Sequence, residues 1–192
     1  MSQFLEYAGL FIIIVWALYR GLSPFVSNAL SMIIAVGVCI LIPIIINEAA
    51  YILIAAFAPF GMVLPAIALQ NMARKNGFQT KEFQTSELTV FLCIYFLFLC
   101  ASLGVFTFDP YPIGYMPLYG NIITVILCLY TLWRGYYVLA AAIVLGQLSW
   151  ALDYGSSNIF DHLTHALLVP VIVVTLLLRI KQRLRPKTAA AA

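Results

Sequence analysis

Long stretches of this chain carry no charge. Residues 21–47, 49–73, 88–108 and 110–133 contain no Asp, Glu, Lys or Arg. Apolar runs of about 20 residues match the length a helix needs to cross a ~30 Å hydrocarbon layer. The chain is 64% hydrophobic and 9% charged, with mean hydropathy +1.03, whereas soluble domains carry roughly 25% charge. The pattern predicts an all-α fold, a polytopic integral membrane helix bundle of about seven transmembrane helices. Its first partner is then the lipid bilayer, and its expected location the cell (inner) membrane, as a multi-pass protein. Residues 1–7 hold no basic group, and no small-residue cleavage site closes the first apolar run, so that run reads as a retained span.

The spans expected in chain order are roughly 4–19, 25–46, 49–70, 87–106, 121–133, 136–152 and 159–178. They form one domain over 1–180, followed by a basic tail over 181–192. The third span contains Pro59, Gly61 and Pro65, which predicts a kinked or broken helix. The fifth, about 13 residues, is short for a bilayer. Seven spans put Arg20, Arg74, Lys75, Lys81, Arg134 and the tail on one side, and Glu6, Glu48, Asp109, Asp153 and Asp161 on the other. All ten basic residues agree, which predicts an outside N-terminus and a cytoplasmic C-terminus. Fusing spans five and six fits this rule less well. The net charge of +3 sits mostly in the tail, where it suits anionic lipid rather than a nucleic acid.

Ala17-Leu18-Tyr19-Arg20-Gly21 and Thr131-Leu132-Trp133-Arg134-Gly135 look alike. A constant offset then lays Ile46-Asn47-Glu48 over Phe160-Asp161-His162. This suggests a 3+1+3 arrangement, with three-span units over 1–70 and 121–180 and an inverting span over 87–106. Such an arrangement resembles the parallel repeats of carriers such as the sugar-transporting SWEET proteins. The Pro-Gln pair of many such carriers is absent from this chain.

Both histidines lie in Asn158–His165, just ahead of the last apolar run. On a continuous helix Asp161, His162 and His165 would sit at about 0°, 100° and 40°, sharing one face. Two imidazoles and a carboxylate suit a divalent metal such as Zn²⁺, which would activate water. Glu48, Asp109 and Asp153 are expected on the same side. The structural alternative is a helix cap, with Asn158 as N-cap and Asp161 in the first turn facing the helix dipole. Asp161-His162-Leu163-Thr164-His165 is also similar, at two of five positions, to the Asp-x-x-x-His opening of VanZ-like membrane proteins, a match too short to carry a function. The seven-span superfamily that includes alkaline ceramidases uses three histidines; this chain has two.

Gln147, expected near the middle of the sixth span, and Glu48 are the candidate substrate-binding residues. Cys39, Cys93, Cys100 and Cys128 lie in apolar runs without a CxxC pair, as small hydrophobes do. No catalytic residue is assigned. The sequence thus favours a small-molecule carrier or permease-like protein with a polar cluster at the outer face. The alternatives are a membrane-embedded metal-dependent enzyme using Asp161, His162 and His165, and an accessory subunit of a membrane complex. Other membrane subunits or a second copy are the remaining expected partners.

Overall fold

The computed structural model describes residues 2–45, 52–53 and 61–184. Among these are eight α-helices, one 3-10 turn and no strand. The helices are α1 (Ser2–Leu22), α2 (Asn28–Ile45), α3 (Val63–Lys75), α4 (Thr85–Ser102), α5 (Pro117–Trp133), α6 (Tyr137–Ala151), α7 (Ile159–Leu163) and α8 (Leu168–Leu184), with the 3-10 turn over Tyr111–Tyr115. Glu48, Pro59 and the end of the basic tail lie outside the described residues. Of the described helices, only Thr85–Ser102 is both long and apolar enough to cross a membrane; Tyr7–Leu22, Asn28–Ile42, α5 and α6 are apolar but shorter.

Two expectations change at this point and one is met. The fifth helix starts at Pro117 rather than residue 121, because proline preforms the first turn, where its missing N–H is not needed. The span expected over 49–70 is interrupted as its prolines imply: Gly61 is not helical and α3 starts at Val63, with Pro65 in its first turn, where it breaks no helical hydrogen bond. The expected last span, 159–178, is two helices. The chain leaves helix at Thr164, whose φ of −116° and ψ of 166° are extended, and resumes at Leu168. His165 therefore does not share a helical face with Asp161 and His162, and the angular argument that grouped the three fails.

The chain divides into two compact units: residues 1–81 with 111–165, and residues 82–110 with 166–192. This division groups α8 with α4, whereas the 3+1+3 reading groups it with α5 and α6.

In the first unit α1 packs on both α2 and α3. Ser31, Ala35 and Cys39 recur every fourth residue of α2 and are all buried, so one stripe of small side chains lets the helices approach closely. Val15, Tyr19 and Met72 complete this core with Ala35 and Cys39. A second core joins Ile143 of α6 to Ile159 and Leu163 of α7. In the second unit α4 opens with a capping box, the Gln84 N–H donating to Glu87 Oε2 at 3.0 Å, as the motif requires. Arg179 of α8 donates to the Phe83 carbonyl (2.8 Å) and Thr85 Oγ1 (3.2 Å), and pairs with Glu82 (3.2 Å).

Candidate functional site

Asn158 begins the site. Its backbone is extended, and its side-chain oxygen accepts from the Phe160 N–H at 2.9 Å, capping α7. This is the N-cap that the sequence predicts. The other end of the same amide donates to the Tyr111 carbonyl at 2.9 Å, so the fully buried Asn158 ties α7 to the 3-10 turn.

Asp161 sits in the first turn of α7, as expected, but its oxygens accept from hydroxyl groups. Tyr111 Oη lies 2.9 Å from Oδ1 and 2.8 Å from Oδ2, and Ser156 Oγ donates to Oδ2 at 2.6 Å. Ser156 Oγ in turn accepts from the Asn158 N–H at 3.1 Å. Burial pushes the Tyr111 phenol well above the ordinary tyrosine range, and the Asp161 hydrogen bond and charge add to it. Tyr111 thus stays a neutral donor to the carboxylate.

His162 is buried. Its Nε2 faces the Ser156 carbonyl at 2.7 Å and its Nδ1 faces Ser149 Oγ at 3.0 Å. A carbonyl only accepts, so Nε2 carries the hydrogen, and in the neutral ring Nδ1 accepts from Ser149. Both ring nitrogens are engaged within the protein. His165 is half-buried, beyond the end of α7. Among the described residues no three His, Cys, Asp or Glu side chains are arranged to hold a metal ion.

Three glycines let neighbouring segments close on α7 and its cap. A Cβ on Gly146 of α6 would lie 2.8 Å from the His162 carbonyl oxygen and 2.9 Å from Leu163 Cδ2. Cβ atoms on Gly61 and Gly114 would overlap the Leu163–Thr164 backbone and the Asn158 side chain. Only residues without Cβ permit these approaches. The Met62 N–H, at the start of α3, donates to the His162 carbonyl at 2.8 Å. The turn leading into α7 is itself bent tightly, with Gly155 at φ +98°.

Gln147 lies just past the middle of α6, one turn before its end at Ala151. Its Nε2 donates to Asn121 Oδ1 at 2.5 Å, joining α6 to the start of α5. Gln147 Oε1 is buried and has no hydrogen-bond partner among the described residues. Thus the structure brings Asp161 and His162 into one network through Ser156, and places Gln147 on the helix that also supplies Ser149. Tyr111 and Ser156 are the members that sequence reasoning missed. Tyr111 looked like one more tyrosine of a Pro-rich interfacial loop, and nothing local pairs it with a carboxylate 50 positions away.

Neither family models, curated proteins nor solved structures match the chain.

Proposed function

We propose that this chain is a multi-span integral membrane protein acting as a carrier for a small polar solute, its N-terminus outside and its C-terminus cytoplasmic. The Asn121–Gln147 pair carries the reading. Among the described residues, Gln147 Oε1 is buried without a partner, beside an exposed Asn121. An unpaired buried acceptor costs about 1–3 kcal/mol, and a solute bearing a hydroxyl or amine donor would remove that cost. Carriers commonly bind solute at polar groups lined by interrupted helices, and the interrupted segment at α7 adjoins Gly146, the neighbour of Gln147.

The polarity of the first unit supports the membrane assignment. Arg20, Lys75 and Arg134 fall in the last turn or at the C-terminal end of α1, α3 and α5, whereas Asp161 and its partners gather where α3 and α5 begin and α6 ends. Helical rise separates the two ends by about 20 Å along α3 and about 25 Å along α5. That is thin for a ~30 Å hydrocarbon layer, a mismatch met by local thinning and interfacial aromatic side chains.

Two measurements test the reading. In a background with its four cysteines replaced by serine, Phe108→Cys labels with an impermeant maleimide on intact cells, and Phe78→Cys labels only after lysis. The reverse pattern overturns the topology. Purified protein is then heated with a panel of sugars, amino acids, nucleosides and organic acids. One class should raise the melting temperature of the parent chain but not of Gln147→Leu; a flat response across the panel removes the carrier reading.

One observation favours a second reading, an accessory subunit. Asp161, Asn158 and His162 satisfy one another and their neighbours, leaving a closed structural cluster. Co-purification of a stoichiometric membrane partner in mild detergent supports that reading, and a lone monomer argues against it.

A further inference from the structure

A pair of carboxamides joins α5 to α6. Gln147 Nε2 donates to Asn121 Oδ1 at 2.5 Å. Each amide carries a second polar atom, and among the described residues neither is used. Gln147 Oε1 is buried without a partner, and Nδ2 of the exposed Asn121 donates to no group. Each of these atoms shares its amide carbon with one end of the Gln147–Asn121 bond. The pair therefore offers one open donor and one open acceptor, flanking a single hydrogen bond. Turning both amides over would leave the same opening with the two roles exchanged.

Nothing beside the pair would neutralise a charge. Helices α5 and α6 contain no Asp, Glu, Lys, Arg or His. Asp161, on the adjoining α7, has its oxygens engaged by the Tyr111 and Ser156 hydroxyls. Arg74 and Lys75 stand at the far end of α3, about 18 Å of helical rise from Met62, which bonds α7. The residues one helical turn from Asn121 and Gln147 are apolar or already paired. Thr124 Oγ1 donates to the Gly120 carbonyl at 2.8 Å, and Trp150 Nε1 to the Ser157 carbonyl at 2.8 Å. An ionised ligand would find no counter-ion here, and an unpaired charge among apolar groups is costly.

We infer that the solute held by the Asn121–Gln147 pair is uncharged and presents an amide edge, a C=O beside an N–H, as in a primary carboxamide or the lactam ring of a nucleobase. Its C=O accepts from Asn121 Nδ2, and its N–H donates to Gln147 Oε1. Gln147 as a whole is half-buried, so rotation about its soft terminal torsion turns Oε1 toward the ligand. Two bonds whose directions are fixed by planar amides favour this edge over a sugar, whose hydroxyl rotors lose freedom on binding. The inference names the substrate class of the carrier site proposed above, and it rests on that reading.

The test uses the full chain in mild detergent, with dissociation constants measured by titration calorimetry. The probes are uracil and benzamide, their N-methylated forms without an N–H (dimethyluracil and dimethylbenzamide), glucose and succinate. The parent chain should bind uracil or benzamide about tenfold more tightly than the methylated form, the effect of one hydrogen bond. Gln147→Leu and Asn121→Leu should each weaken that binding about tenfold. The exchange Asn121→Gln with Gln147→Asn keeps both amides and should recover part of the loss, and the melting temperature of each variant reports whether it is folded. Equal binding of the methylated forms, or binding of neither amide, overturns the inference. Binding of glucose or succinate that depends on Gln147 overturns the amide assignment and leaves the carrier reading standing. A parent chain that binds no probe of any class removes the carrier reading as well.

Discussion

Tyr111 Oη lies 2.9 Å from one carboxylate oxygen of Asp161 and 2.8 Å from the other. A single O–H thus serves an entire carboxylate, and it reaches from the 3-10 turn to the first turn of α7. With Asn158 Nδ2 on the Tyr111 carbonyl, residue 111 is held at both its side chain and its backbone.

Hydrogen bonds to charged groups contribute about 1.5–3 kcal/mol. Tyr111→Phe should destabilise the chain by about that amount, because among the described residues Asp161 then keeps only the Ser156 hydroxyl. Asp161→Asn should cost a similar amount, and the double variant less than the sum, since both remove one interaction. Denaturant unfolding in detergent measures all three; strict additivity would mean that the contact contributes nothing.

Alkali probes the same contact. The folded state raises the Tyr111 ionisation, by burial first and by Asp161 second. The contribution of the neutral phenol is therefore complete below the ordinary tyrosine value of about 10, and it declines as pH rises beyond that. Tyr111→Phe should flatten the alkaline limb of a stability–pH curve and leave the neutral region parallel to the parent. An unchanged alkaline limb would assign the loss to other tyrosines.

Glycine substitution separates close approach from helix propensity. Gly146→Ala places a methyl 2.8 Å from the His162 carbonyl oxygen and should cost about 1–3 kcal/mol through overpacking. Gly37→Ala, in α2 with nothing among the described residues within 4 Å of the added carbon, should stabilise by roughly 0.5–1 kcal/mol. Opposite signs in thermal melts of the two variants are the expected result.

The second unit offers a comparison of charge with geometry. Arg179→Lys keeps the charge but loses the fork that meets Phe83 and Thr85. It should cost about 1–2 kcal/mol. Glu82→Gln should cost under about 1 kcal/mol, because the Glu82 side chain is 53% exposed and an ion pair there is well solvated. Unfolding measurements showing a larger loss for Glu82→Gln would reverse that ranking.

How much of this was legible in the sequence follows from locality. Asn158 as an N-cap was readable because a cap is decided within three residues. The all-helical class was readable because apolar runs without strand alternation leave few alternatives. The break after Leu163 has a local signal, Pro170, which sits in the first turn of α8 and could not have continued a helix from residue 159 without losing the bond to the Ala166 carbonyl. Its place is not local, because the Leu163–Thr164 backbone meets Gly61, a residue about a hundred positions earlier. Gln147 is legible as a polar group in an apolar run, but its partner is not, since Asn121 lies 26 positions earlier on another helix. Tyr111 was hidden for the same reason, since its meaning depends on Asp161.

The grip of Gly61, Gly114 and Gly146 on α7 also sets an order of assembly. A five-residue helix is too short to enter a bilayer or hold its shape alone. During synthesis, α1 to α6 emerge with the Met62 N–H still lacking the His162 carbonyl, its partner 100 positions away. The first unit can close only after residue 164 has left the ribosome. Until then the nascent protein presents an open notch, where a chaperone or protease could distinguish an unfinished molecule from a finished one.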